Sequence, residues 1–268
     1  MSDGQAPIPA VWAAVLPRLG GTPLVLMLDV DGTLAPIAPR PEDAAVPPRT
    51  RALLEQLVAN PAVRVVLVSG RSAPDANAIV GVRGVWTVGN HGFEILTPAG
   101  ETETDADLND QSAAITQAAR ELEPVVAAVH GARLENKRWT LSVHYRLAAR
   151  DAVPALRAAV ERAALGLRLR VTDGKEVVEV RPAAHVDKGT AVVTMGERLH
   201  GFDPSASILF AGDDRTDEDA FRSLRARSPR AVTIRVDDNP EIKTAAEITL
   251  SDPAAVFEFL QWLAARRA

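Results

Sequence analysis

Short uninterrupted apolar runs, each closed by polar residues, recur along the chain. Leu24–Leu28 leads into Asp29-Val30-Asp31-Gly32-Thr33-Leu34, residues 63–68 into Ser69-Gly70-Arg71, and residues 85–88 into Gly89-Asn90-His91-Gly92. Late in the chain, 208–211 precedes Gly212-Asp213-Asp214, and 231–236 precedes Asp237-Asp238. Runs of this length without alternation predict strands buried on both faces. Between them, Leu53, Leu54, Leu57 and Val58 recur at helical spacing and predict a helix over 50–59. The prolines at 36, 39, 41, 47 and 48 predict a loop before it. Asp252-Pro253 opens a last helix, with Asp252 as cap and Val256, Phe257, Leu260 and Leu263 on one face. Strands alternating with helices imply a parallel sheet covered on both sides, whose ligands bind beyond the carboxyl ends of the strands. The polar clusters all fall at that edge.

The middle of the chain has a different rhythm. Residues 113–129 and 152–164 have the pattern of amphipathic helices. Trp139, Leu141, Val143, Tyr145 and Leu147 alternate with Thr140, Ser142, His144 and Arg146, the period of a half-buried strand. Residues 167–172 and 176–180 flank Asp173-Gly174, a hairpin signal. A small α+β unit inserted into a larger α/β sheet is the expected organisation.

Composition narrows the chemistry. The 268 residues are 47% hydrophobic and 24% charged, enough for one large domain or a domain with an insertion, and too apolar for a disordered chain. A formal charge of −5 offers no general attraction for nucleic acid or an anionic membrane, so neither is an expected partner and an anionic ligand needs local cations. The absence of cysteine excludes disulfides, thiolate metal sites and a cysteine nucleophile. The histidines at 91, 130, 144, 185 and 200 have no short ligand spacing, which disfavours zinc. Residues 1–9 contain no basic stretch leading into an apolar run, and no apolar stretch approaches the ~18 residues of a spanning helix, so the expected location is the cytoplasm. Oligomeric state is not readable from one sequence, and a monomer is compatible with it.

Asp29 and Asp31, one residue apart at a strand tip and followed by Gly32, can hold a hard cation through oxygen ligands and present backbone amides to phosphate. Ser69 and Arg71 can bind phosphate oxygens. Lys188, after Asp187 at the start of a predicted helix, can neutralise phosphate charge. The stretch Asp213-Asp214-Arg215-Thr216-Asp217-Glu218 places four carboxylates in six residues, which repel one another unless a cation sits among them. Each feature alone also fits ordinary turn capping or a solvated surface.

Taken in order, Asp29-x-Asp31-Gly32-Thr33, Ser69, Lys188 and Gly212-Asp213-Asp214 resemble the four motifs of the haloacid dehalogenase (HAD) superfamily of phosphotransferases. The resemblance implies a Rossmann-like parallel-sheet HAD core over 1–101 and 185–268 and an inserted α+β cap over 102–184. It implies Asp29 as the nucleophile that forms an aspartyl phosphate and Asp31 as general acid and base. Ser69 and Lys188 would hold the transferring phosphoryl group. Asp213 would join Asp29 and the main-chain carbonyl of Asp31 around Mg²⁺.

The stretches Gly89-Asn90-His91-Gly92-Phe93-Glu94, Leu134-Glu135-Asn136-Lys137, Val143-His144-Tyr145-Arg146, Gly174-Lys175 and Val178-Glu179-Val180-Arg181-Pro182 narrow the resemblance to the trehalose-6-phosphate phosphatases. In that family the cap closes over the sugar, and Glu135, Lys137 and Glu179 match its sugar-binding positions. Arg71, His91 and Gly92 are further substrate-binding expectations. Asn90 departs from the aliphatic residue expected there. Glu135 and Lys137 share the parity of Trp139 and Leu141, so an unbroken strand would set charge beside an apolar face. The implied substrate is trehalose 6-phosphate; a phosphatase or phosphomutase for another sugar phosphate, or a silent sugar-phosphate sensor, are the rival readings.

Overall fold

The computed structural model describes residues 10–104, 109–174, 176–182, 186–239 and 241–267. In chain order its helices and strands are α1 (Ala10–Leu19), β1 (Leu24–Leu28), α2 (Pro48–Ala59), β2 (Val63–Val68), α3 (Ala73–Val80), β3 (Trp86–Gly89), β4 (Glu94–Leu96), β5 (Thr102–Thr104), α4 (Asn109–Ala127), β6 (Arg133–Asn136) and β7 (Leu141–His144). There follow α5 (Val153–Gly166), β8 (Arg170–Gly174), β9 (Val177–Arg181), α6 (Lys188–Arg198), β10 (Ser207–Gly212), α7 (Asp217–Arg227), β11 (Val232–Val236), β12 (Ile248–Leu250) and α8 (Pro253–Ala264). The chain divides into two compact units, Met1–Glu103 with Val186–Ala268, and Thr104–His185. Among the described residues no helix is long and apolar enough to cross a membrane.

The larger unit is built on an eight-stranded sheet of order β12-β11-β10-β1-β2-β3-β4-β5. Strands β12 to β3 in that order pair in parallel, and β4 turns back antiparallel to β3. The continuous apolar runs have a simple cause here, because both faces of the sheet are covered. Leu24, Leu26 and Leu28 pack with residues of α1, α2, α3 and α8, whereas Val25 and Met27 pack with Val192 and Met195 of α6 and Phe221 and Leu224 of α7. All five side chains of β1 are fully buried, each stabilising the fold by about 1.5–3 kcal/mol. The strand tip that carries Asp29 is therefore held rigidly.

β1 lies between β2 and β10, the point where the chain changes direction across the sheet. Crevices in open parallel sheets form at such switch points. The register Leu28↔Ala211 and the bond from Asp29 N to Ala211 O (2.9 Å) bring residues 29 and 213 to adjacent strand ends although 184 positions separate them.

The last helix starts as expected, with Asp252 Oδ1 accepting from Ala255 N at 2.8 Å. Its buried face is broader than the pattern predicts. Phe259 and Trp262 meet Trp12 with ring centroids 5.4 and 5.7 Å apart, and Phe257 is only half-buried beneath the Arg49 guanidinium. The helix packs against α1 as well as the sheet, which one-face periodicity does not register. Helices α1 and α3 and strands β4, β5 and β12 were not predicted; the three strands are too short to show a period.

The smaller unit is a four-stranded antiparallel sheet of order β6-β7-β9-β8. Leu141, Val143, Val178 and Val180 line one face and pack with Ile115, Leu122 and Val126 of α4 and Leu156 and Val160 of α5. Two expectations are corrected. The strand predicted through 139–147 is confined to Leu141–His144, because Lys137 N and Trp139 N are spent on the turn bonds to Thr140 O and Lys137 O, and Arg138 adopts φ +72°. That turn breaks the parity on which charge beside the apolar face depended. Glu135 pairs with Ser142 rather than sharing the side of Leu141. The hairpin bends later than Asp173-Gly174: Gly174 pairs with Val177, and Glu176, at φ +63°, sits in the turn. Lys175 lies outside the described residues.

Candidate active site

Asp29 caps the most buried strand of the larger unit and is itself 4% exposed. Its Oδ1 accepts from Lys188 Nζ at 2.8 Å, and the same ammonium donates to Asp217 Oδ1 at 2.7 Å. Lys188, 2% exposed, is the first residue of α6. The positive end of a helix dipole disfavours a cation there, so its two carboxylate partners decide its placement. Asp187 fixes the helix start through a reciprocal cap: its Oδ1 accepts from Thr190 N at 2.8 Å, and Thr190 Oγ1 accepts from Asp187 N at 3.0 Å. Burial alone would discharge Lys188, yet Asp217 and Asp29 hold its ammonium protonated well above the ordinary lysine range.

One oxygen from each of Asp29, Asp213 and Asp217 lies within 4.8 Å of the others, a spacing suited to a hard divalent cation. Burial pushes the carboxyls of Asp29 and Asp217 well above their ordinary range, against the pull of Lys188. Asp213 is raised to about 7 by burial and by the charges of Asp217 and Asp214. A cluster that resists ionisation in its own field fits a bound cation. Two glycines make room for it. A Cβ on Gly32, whose φ is +84°, would lie 2.0 Å from Asp213 Oδ2, and a Cβ on Gly212 would lie 2.3 Å from Asp217 Cγ.

Asp217 was not among the expected ligands. Asp214, quoted in the motif, does other work: its Oδ1 accepts from Thr216 N (2.7 Å), Thr216 Oγ1 (2.7 Å) and Asp217 N (3.1 Å), tying down the start of α7. Asp214 N in turn donates to Asp217 Oδ2 at 2.9 Å. Arg235, also unforeseen, is buried at the end of β11 and donates to Asp214 O at 2.6 Å and to Asp237 Oδ2 at 3.0 Å. An adjacent-strand cation thus anchors the acidic loop.

Asp31 leaves this cluster. Arg71 grips its carboxylate with a fork of two bonds, Nε to Oδ2 at 2.6 Å and Nη2 to Oδ1 at 2.7 Å. Asp75 Oδ2 and Pro41 O accept further bonds from the same guanidinium, at 3.0 and 2.9 Å. Ser69 is buried, and its Oγ accepts from Arg71 N at 3.2 Å.

Ser69 O and Arg71 O also receive the amides of His91 (3.0 Å) and Asn90 (2.6 Å), which joins two strand tips. Asn90 and His91 sit at φ +50° and +60°, uncommon for residues with side chains and a feature of functional loops. The His91 ring lies over Gly70, where a Cβ would be 2.7 Å from its Cε1 and Nε2. Gly92, at φ +123°, faces Val186 and Ala191. The polar Asn90 has a structural reason: its side-chain amide donates to Glu94 Oε1 at 2.8 Å, and that buried oxygen also accepts from Ala73 N, the first amide of α3, at 2.7 Å.

In the smaller unit, Glu135, Ser142, Glu179 and Thr172 stand opposite one another across the four strands, on the face away from the apolar core. Glu135 Oε2 pairs with His144 Nε2 at 2.8 Å and lies 4.0 Å from Lys137 Nζ. Burial alone would raise the Glu135 carboxyl, but the bond with His144 and the charges of Lys137 and Arg133 hold it below the ordinary glutamate range. Glu179 accepts from Arg181. The three sugar-binding candidates therefore share one polar sheet unit.

The acid cluster carries a pH signature. The Asp213 carboxyl titrates near 7 in the folded protein against an ordinary 3.8, so folding binds a proton that the unfolded chain releases. Stability of the metal-free protein should fall as pH rises from about 4 to about 7, by up to about 1.4 kcal/mol per unit from this group. Melting in EDTA checks it. The midpoint should rise as pH is lowered from 7 to 5, and Asp213→Asn should flatten the slope. A midpoint that falls over that window contradicts the assignment.

A family model described as trehalose-phosphatase matches residues 27–254. The trehalose-phosphate phosphatase of Mycolicibacterium paratuberculosis is 38% identical over 249 residues, 92% of this chain and 63% of that protein. An uncharacterized glycosyl hydrolase of Mycobacterium tuberculosis is 36% identical over 257 residues, 95% of this chain and 19% of its own length. This chain thus spans less than two thirds of either relative. The C-terminal domain of Candida albicans trehalose-6-phosphate phosphatase superposes with a TM-score of 0.77 at 24% identity, covering 98% of this chain and 99% of that one. At that identity the match is one of fold.

Proposed function

Because the chain belongs to the trehalose-phosphatase family, we propose that it hydrolyses trehalose 6-phosphate to trehalose and phosphate through an aspartyl-phosphate intermediate. One observation carries the reading: a lysine buried between Asp29 and Asp217, with Asp213 beside them, at the tip of the central strand. Asp29 is the nucleophile. Its carboxylate oxygen bonds to phosphorus as the bond to the sugar oxygen breaks, and Asp31 gives that oxygen a proton. Asp31 then takes a proton from water as the water attacks the aspartyl phosphate, which releases phosphate and restores Asp29.

Lys188 and Ser69 bind the phosphoryl oxygens. Arg71, forked onto Asp31, meets in a phosphate the same planar pair of acceptors, so exchange onto the ester frees Asp31 for proton transfer. His91 and Gly92, on the strained turn beside Ser69, shape the substrate's approach. Glu135, Lys137 and Glu179, in the α+β unit, hold sugar hydroxyls. Asp29, Asp213 and the main-chain carbonyl of Asp31 would hold Mg²⁺, with Asp217 as the further carboxylate of the cluster. That ion supplies electrostatic stabilisation of charge on the phosphoryl oxygens.

Phosphate release from a panel of sugar phosphates, with and without EDTA, tests the proposal. Trehalose 6-phosphate should be hydrolysed fastest, and EDTA should stop the reaction until excess Mg²⁺ is added. Faster turnover of glucose 6-phosphate or sucrose 6-phosphate overturns the substrate. Full activity in EDTA overturns the metal. Formation of a phosphosugar isomer indicates a mutase.

A further inference from the structure

Ser142 lies at the centre of β7 with its side chain turned from the apolar layer that Leu141 and Val143 enter. It is 1% exposed, yet its Oγ has no hydrogen-bond partner. Burying a hydroxyl without a partner costs about 1–3 kcal/mol, and alanine would fill the position without that cost. The carboxylates opposite it do not compensate. Glu135 is drawn to His144 at 2.8 Å, and Glu179 to Arg181 at 3.0 Å. At the end of the same row Thr172 repeats the anomaly, with a buried Oγ1 that is likewise unpartnered. Two carboxylates thus alternate with two orphaned hydroxyls across four strands.

We propose that Ser142 is a specificity-determining residue that hydrogen-bonds a hydroxyl of the substrate's sugar moiety, an inference that rests on the phosphatase reading above. A sugar hydroxyl is both donor and acceptor. It can accept from Ser142 Oγ while donating to the neighbouring Glu135 or Glu179, which satisfies the serine and one carboxylate with one ligand hydroxyl. Glu135 and Glu179 are 33% and 16% exposed at their side chains, so each carboxylate can be reached by a ligand that takes the place of His144 or Arg181. A serine at this position is then explained by the ligand and not by the fold.

The test is Ser142→Ala assayed with trehalose 6-phosphate and with p-nitrophenyl phosphate, which has no sugar. The KM for trehalose 6-phosphate should rise about tenfold, the scale of one lost hydrogen bond, with kcat within about twofold of the parent. Kinetics on the aryl phosphate should not change, and the melting temperature should hold or rise because an orphan hydroxyl has been removed. Ser142→Cys, of similar shape and a weak donor, should behave like Ser142→Ala. An unmoved KM for trehalose 6-phosphate overturns the inference while the phosphatase reading stands. A parallel fall on both substrates also overturns it, since that pattern reports a structural role. If the parent protein does not hydrolyse trehalose 6-phosphate at all, the underlying reading fails and the inference with it.

Discussion

Asp29→Asn should reduce phosphate release from trehalose 6-phosphate by about 10⁴-fold or more, leaving background. The amide has nearly the shape of the carboxylate but no charged oxygen to bond to phosphorus, so the loss falls on the chemical step. The substitution is also mild for the fold. Lys188 keeps its 2.7 Å bond to Asp217, and the position gives up a carboxyl whose burial already works against ionisation. The melting temperature in EDTA should therefore stay close to that of the parent. Asp31→Asn, which removes the proposed proton donor and leaves Asp29 in place, should lose a smaller ~10²–10⁴-fold. Near-parent turnover by Asp29→Asn, purified free of host phosphatases, would falsify the mechanism.

Lys188→Met should lose both stability and activity, and for one reason. Its ammonium sits between two carboxylates that are 4% and 0% exposed, and nothing of the size of methionine can replace the two bonds it makes. Removing one partner of a buried ion pair costs about 3–5 kcal/mol, which for a domain of this size lowers the melting temperature by ~10 °C. Turnover should fall ~10²–10³-fold, as when a preorganised charge stabiliser is lost. The double substitution Lys188→Met with Asp217→Asn separates the effects. It removes one stranded carboxylate, so it should regain part of the stability and none of the activity. A single variant as stable as the parent would mean that Lys188 does not neutralise the cluster.

Much of this site is legible in the sequence because its parts are local. A buried strand announces itself by five or six consecutive apolar residues, and Asp29, Ser69 and Asp213 are found by reading to the end of such runs. The parallel sheet follows from the same alternation, and the strand order agrees. Asp217 could have been found: the first turn of a helix that starts just past a strand tip points back at the tip, and four carboxylates in six residues cannot all cap turns. Its neighbour Asp214 shows the limit, since which of two adjacent acids faces the cluster depends on a turn whose geometry has no period.

The chain's own order of residues therefore determined the central sheet and the carboxyl edge where polar residues, Asp29 among them, collect, because these depend on hydrophobic periodicity and on what must follow a buried strand. Tertiary structure alone decided that Arg71 holds Asp31, that Arg235 anchors the acidic loop, and that Glu135 aligns with Ser142 and Glu179. Each of these joins side chains brought together by strand register or by a turn at positive φ, such as those at Gly32 and Arg138. A side chain's direction past such a turn is set by what the fold packs around it, and no spacing along the chain encodes that.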